Sequence, residues 1–168
     1  MYLNHNYNKI KFHKSINGNV YRMKVLVQRV KRASVTVEEK LVSEIGQGFL
    51  LLVGIEKDDT KAQIEYLARK VADLRIFEDC NGKMNLSIKN VGGQILAVSQ
   101  FTLAGDTSRG NRPGFETAAR PETARRLYED YVECLRAQGL EVKTGIFQAD
   151  MQVELINDGP VTFMLERK

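Results

Sequence analysis

The run Ser99-Gln100-Phe101-Thr102 brings two hydroxyls and a side-chain amide into four residues. Hydroxyls of this kind attack esters or hold a polar substrate, and the amide does the second. A nucleophilic Thr102 needs a base, and the body of the chain has no histidine to provide one. His5 and His13 both precede residue 23, so Lys83 and Lys89 are the basic candidates that remain. Arg109 and Arg112 share a polar stretch with Phe115. Guanidinium groups pair bidentately with phosphate, and the alternative there is a solvated surface loop. Arg29 stands between Val27 and Val30, as an ordinary edge charge or as a strut under a site. Asp158-Gly159-Pro160 reads by composition as a tight turn between two strands.

The elements that carry these residues follow from periodicity. Ile95-Leu96-Ala97-Val98 predicts a buried strand, and alternation continues one row through Leu96, Val98, Gln100 and Thr102. A row that begins apolar and ends polar must be hydrogen-bonded or face a cleft. Lys24 to Val30, Ala33 to Glu38 and Leu41 to Ile45 read as three strands, and Gly48 to Ile55 as one covered on both faces. Ile64, Leu67, Val71 and Leu74 recur at helical spacing, which predicts a helix from about Thr60 to Ile76 with its cap supplied from Glu56 to Asp59. Asp79 to Gly82 is a turn, and Met84 to Ile88 a weak strand. Gly105 to Arg120 is a long irregular stretch, of the kind that is usually functional or disordered. Pro121 opens a second helix with Leu127, Tyr128, Tyr131, Val132 and Leu135 as its buried stripe and Gly139 as its stop. Glu141 to Phe147, Met151 to Ile156 and Val161 to Leu165 close the chain as three strand-like runs.

At 168 residues, 43% hydrophobic and 27% charged, the sequence suits one domain with a sizeable core. No apolar run approaches the ~18 residues of a membrane span. Cys80 and Cys134 are isolated, which argues against a disulfide framework or a zinc site and suits a cytoplasmic location. The net charge of +4 is local. Lys9, Lys11, Lys14 and Arg22 lie in an acid-free leader, and the rest of the chain holds 21 basic and 21 acidic residues. Any nucleic-acid affinity of the body must therefore come from patches. Residues 1–22 are expected to be an unstructured or appended extension. The folded domain is expected over 23–168, with Met23 a candidate start of translation.

Taken together, Ser99-Gln100-Phe101-Thr102 and Asn157-Asp158-Gly159-Pro160-Val161-Thr162 resemble the paired signatures of the D-aminoacyl-tRNA deacylases. Met23 to Val30, Lys83-Met84-Asn85 and Arg109 to Phe115 fit the same family, and only residues 1–22 depart from it. The resemblance implies an α+β fold: mixed sheets curled into a partly open β-barrel, two main helices packed outside, and a homodimer with shared active sites. It implies hydrolysis of the ester between a D-amino acid and tRNA, a proofreading role in the cytoplasm, with no cofactor, metal, membrane or DNA partner. The site implied is Ser99, Gln100, Phe101 and Thr102 of one subunit and a cis Gly159-Pro160 from the other. Arg29, Asn157, Val161 and Thr162 support it, and Arg109 and Arg112 contact tRNA phosphates. Recognition through main-chain atoms, with a ribose hydroxyl of the tRNA as proton shuttle, removes the need for a histidine. A nucleophilic Thr102 is the alternative mechanism. The rival functions are a nucleic-acid-binding protein on the same fold and a general esterase using Thr102.

Overall fold

The computed structural model describes residues 22–167. The expectations for residues 1–21, His5 and His13 among them, lie outside the described residues. The backbone is one strand, β1 (Met23–Val37), with the other elements arranged about it. Its first half lies antiparallel between β3 (Gly48–Gly54) and β8 (Gln152–Arg167), and its second half between β2 (Lys40–Ile45) and β8. Beyond β3, the parallel strands β6 (Gln94–Ser99) and β7 (Val142–Thr144) complete a six-stranded mixed sheet. The sheet curls until β2 and β7 face each other. Ser43 Oγ donates to the Thr144 carbonyl at 2.9 Å and Lys143 Nζ to the Glu44 carbonyl at 2.8 Å, so side chains bridge a gap that no ladder closes. The expected partly open barrel is present. A small hairpin of β4 (Arg75–Glu78) and β5 (Met84–Ser87) stands apart.

Two helices cover the outside. In α1 (Lys61–Ala72), Thr60 is the N-cap, completed by Gln63 in a capping box, so the cap is one residue past the expected Glu56–Asp59. The helix stops at Ala72 rather than Ile76, because Ile76 and Phe77 are buried as part of β4. In α2 (Pro121–Ala137), Pro121 is the first residue, as expected, and Gly139 follows the end at φ +81°.

Alternation splits the core in two. Phe49, Leu51, Val53, Ile95 and Ala97 face the helices, while Leu50, Leu96 and Val98 fill the barrel with Val30, Ala33 and Val35. Strands β3 and β6 are therefore covered on both faces. On β1 the parity changes between Val27 and Ala33, where the pairing with β8 shifts. That irregularity made β1 read as two strands. No helix among the described residues is long and apolar enough to cross a membrane.

Candidate active site

Strand β6 ends at Ser99, and Phe101–Ala104 is a 3-10 turn, so the polar row does not continue through Gln100 and Thr102. The turn sits against β3 because Gly54 has no side chain. A Cβ there would lie 2.8 Å from Leu103 Cβ and 3.3 Å from the Gln100 carbonyl. The Gln100 N–H is held by the Val53 carbonyl at 2.7 Å, and the Leu103 N–H by the Gln100 carbonyl at 3.2 Å. The N–H groups of Phe101 and Thr102 precede the turn's own ladder, which makes no use of them. Gln100 Nε2 donates to Thr102 Oγ1 at 2.5 Å, and Thr102 is exposed. Neither candidate base is brought to it. Lys89 pairs with Asp73 at 3.8 Å, and Lys83 lies in the turn between β4 and β5.

The exposed ring of Phe101 packs on Phe115 with centroids 5.0 Å apart and planes at 59°. Phe115 belongs to the irregular stretch, which is pinned to the turn. Thr117 Oγ1 donates to the Ala104 carbonyl at 3.0 Å, and Asp106 and Gly114 exchange backbone bonds at 2.8 and 2.9 Å. Arg109 and Arg112 are exposed on the excursion between Asp106 and Gly114. The backbone N–H and hydroxyl of Ser108 hold the Asp106 carboxyl below the usual carboxylate range.

The second motif is not a hairpin turn. Both halves of β8 pair with β1, and between them a single β1 residue, Arg29, faces four of β8, Asp158 to Val161. The segment is a wide bulge with a cis Gly159-Pro160 bond, as the resemblance implied. Asn157 closes it from inside. Its Nδ2 donates to the carbonyls of Arg29 at 3.2 Å and Val161 at 3.1 Å, and its Oδ1 accepts the Val161 N–H at 3.2 Å. A Cβ on Gly159 would collide with that Oδ1 and with the Val161 nitrogen. Arg29, 6% exposed, holds the bulge from below. Its Nε donates to the Asp158 carbonyl at 2.8 Å, its guanidinium reaches the Ile76 carbonyl at 2.5 Å, and it lies over Phe77. Arg29 is thus a strut rather than an edge charge. Val161 is buried, whereas Gly159, Pro160 and Thr162 are exposed. Thr162 Oγ1 accepts from Gln28.

Within one chain the two motifs do not meet. Thr162 shares a rung with Gln28, Leu50 and Leu96, while Ser99 lies three residues along β6, beyond β1 and β3. Sequence reasoning missed one group beside the turn. Lys24 Nζ donates to the Leu103 carbonyl at 3.0 Å and pairs with Glu56 at 2.9 Å, with Asp59 alongside. Its signal was a charge in the apolar run Val25-Leu26-Val27 and two acids taken for a cap. Among the described residues no cluster of His, Cys, Asp and Glu side chains is placed to hold a metal ion.

Fold and site thus define a small mixed-barrel protein whose two exposed motifs are main-chain irregularities locked by polar side chains. The family model described as D-Tyr-tRNA(Tyr) deacylase matches residues 26–166, and the chain belongs to that family. It is 59% identical over 145 residues to a protein of Pelobacter propionicus named D-aminoacyl-tRNA deacylase, covering 86% of this chain and 100% of that one. It is 60% identical over 145 residues to one of the same name from an Exiguobacterium species, covering 86% and 99%. A solved structure named c-Myc DNA Unwinding Element Binding Protein superposes with a TM-score of 0.81 at 44% identity, over 86% of this chain and 99% of that one. A probable eukaryotic D-amino acid tRNA deacylase superposes at 0.77 with 17% identity, over 87% and 100%, and shares the fold.

Proposed function

We propose that this protein hydrolyses the ester joining a D-amino acid, or glycine, to tRNA and so proofreads chirality in the cytoplasm. The observation that carries the reading is the identity of 59%, over that relative's whole length and 86% of this chain, to a protein named for that activity. Water adds to the ester carbonyl, the bond to the ribose oxygen breaks, and that oxygen takes a proton. The N–H groups of Phe101 and Thr102 stabilise the developing oxyanion, a contribution of roughly 3–4 kcal/mol per donor. The neighbouring ribose hydroxyl relays the proton, since the bond from Gln100 and the placement of Lys83 and Lys89 away from Thr102 disfavour Thr102 as nucleophile. Arg109 and Arg112 take phosphates, and the Phe101–Phe115 pair offers a face on which a base can stack.

Such an enzyme must accept many side chains and read one stereocentre. Rigid backbone carbonyls that grip the amino group and clash on the L side do this without touching the D side chain. The locked Gly159-Pro160 tip supplies them, from the partner subunit of a homodimer. Two features support that arrangement. The motifs lie on different rungs with two strands between them, and among the described residues β8 pairs only with β1 while exposing Ile156, Phe163 and Met164. Residues 1–22 are an appended segment whose lysines attract phosphate, and 23–168 form the catalytic domain.

Matched D- and L-aminoacyl-tRNA test the activity, with release of the D form alone expected. Mixed dimers test the sharing. Thr102→Trp and a Gly159→Ala, Pro160→Ala double mutant are each inactive alone. Co-refolded, they restore up to about one working site per mixed dimer. Mixed dimers that stay inactive would place the whole site in one chain. The structural neighbour named for a DNA element favours a second reading, a nucleic-acid-binding protein on this fold. Binding of both aminoacyl-tRNAs without hydrolysis would establish it, and cleavage of free small esters would favour the esterase.

A further inference from the structure

Behind the 3-10 turn lies a buried group of charges that the proposed reaction does not use. Glu56 is 4% exposed and Asp59 8%. Glu56 Oε1 pairs with Lys24 Nζ at 2.9 Å, and Glu56 Oε2 accepts the backbone N–H of Arg22 at 3.0 Å. Asp59 Oδ2 accepts the Glu56 N–H at 2.7 Å, while Asp59 Oδ1 is buried with no hydrogen-bond partner. The guanidinium of Arg22 turns away to Glu166 at 2.8 Å. Two buried carboxylates therefore face one ammonium, an imbalance that is costly in a low-dielectric site. Burial pushes the Asp59 carboxyl up to about 7, the charges of Glu56 and Asp58 push the same way, and the N–H groups of Glu56 and Met23 pull against them.

The Met23 N–H acts on Asp59 from β1 without bonding Oδ1, and the adjoining Arg22 N–H bonds Glu56 Oε2, so the start of β1 lies against both carboxyls. The place of Met23 is fixed, because the residue is wholly buried and pairs with Arg167 across the ladder. In the full chain the Met23 nitrogen is an amide with one proton. As the first atom of a chain it carries three protons and a positive charge. We propose that Glu56 and Asp59 form a binding seat for the α-ammonium of a chain that begins at Met23. One proton meets Asp59 Oδ1, and Glu56 Oε2, left without the Arg22 N–H, is open to another. Two carboxylates then balance two ammonium groups. The relative from Pelobacter propionicus is matched over its whole length by 145 residues of this chain, and the family model begins at residue 26, close to this point. The seat is also joined to the candidate site, since Lys24 bridges Glu56 and the Leu103 carbonyl beside Thr102.

The test compares the full chain with one begun at Met23, its unformylated Met23 confirmed by mass. Carbon-13 NMR follows the Asp59 carboxyl and the α-carbon of residue 23. In the full chain Asp59 is expected to titrate near 7, pushed up by its burial. In the shorter chain it is expected to stay ionised down to below about 5, with the α-amine titrating at least one unit above its usual ~7.7–8.0, a tenfold tighter hold on its proton. Among the described residues, Glu56 and Asp58 are the charges that act on Asp59, with Lys24 and Arg22 on the far side of Glu56. Of these described groups all but Arg22 are common to both chains, and the Arg22 guanidinium points to Glu166. Asp59→Asn in the shorter chain should return the amine toward its usual value. An amine at or below that value, an Asp59 still titrating near 7, or a shorter chain that does not fold would overturn the proposal. The two wild-type titrations decide it even where Asp59→Asn fails to fold.

Discussion

Replacing Arg29 by methionine keeps the length of the side chain and removes its donors. Two backbone carbonyls lose a charged partner: Ile76, at a buried position, and Asp158, at a partly exposed one. A hydrogen bond from a charged donor contributes about 1.5–3 kcal/mol. Water can replace part of the Asp158 bond, so the expected loss is about 3–4 kcal/mol. For a domain of this size that lowers Tm by about 8–14 °C at fixed protein concentration. Arg29→Lys keeps the charge but has one donor group for two carbonyls that diverge, and should lose about half as much. Denaturant unfolding of the full chain measures the first effect, and D-aminoacyl-tRNA hydrolysis measures the second. If the bulge presents the Gly159-Pro160 tip to the substrate, turnover should fall in both variants, and further in the methionine one. A loss below about 1 kcal/mol in Arg29→Met would refute the strut. The expected loss of about 3–4 kcal/mol in a variant that still folds and keeps its turnover would detach the bulge from the site.

Thr102→Ala should keep a measurable rate if the oxyanion donors are the backbone groups proposed, and a trapped aminoacyl ester on Thr102 would decide for the nucleophile. Glycyl-tRNA should be hydrolysed along with D-aminoacyl-tRNA, since achiral glycine offers nothing to exclude, and complete inertness would mean that the D side chain is gripped. Asp59 binds its proton more tightly folded than unfolded. Its contribution in the full chain is therefore complete below about pH 4 and lost as pH rises toward about 7. Urea unfolding should show that downward slope, at most ~1.4 kcal/mol per pH unit, and Asp59→Asn should flatten it.

The sequence was most legible where one layer of interaction decides. The apolar run of β3 needs only two covered faces, and Pro121 and Gly139 bound α2 by local backbone chemistry. It was least legible where a distant strand decides. Asn157-Asp158-Gly159-Pro160 has the composition of a turn, yet the chain passes straight through it, because β1 is long enough to pair with both flanks. The strut and edge-charge readings of Arg29 were equally open until the bulge opposite it was visible. Ile76 fits the period of α1 but is claimed by the hairpin, which terminates the helix first. Lys24, Glu56 and Asp59 meet only through tertiary structure, and no local pattern joins them.

Both motifs hang from β1. Lys24 on that strand holds the Leu103 carbonyl of the 3-10 turn, and Arg29 further along the same strand holds the Asp158 carbonyl of the bulge. Each motif is an interruption of regular structure, and each is fixed by a cation that donates to a main-chain carbonyl. A site that reads its substrate through backbone atoms cannot be tuned by exchanging the side chains that touch it. Its precision rests on the groups that hold the backbone still. Here those groups lie on one strand flanked by β3 and β8 along its first half, so a slip in its register would displace both halves together. In the two-fold dimer proposed above, the turn of one subunit would meet the tip of the other, and the two β1 strands would set the distance between them.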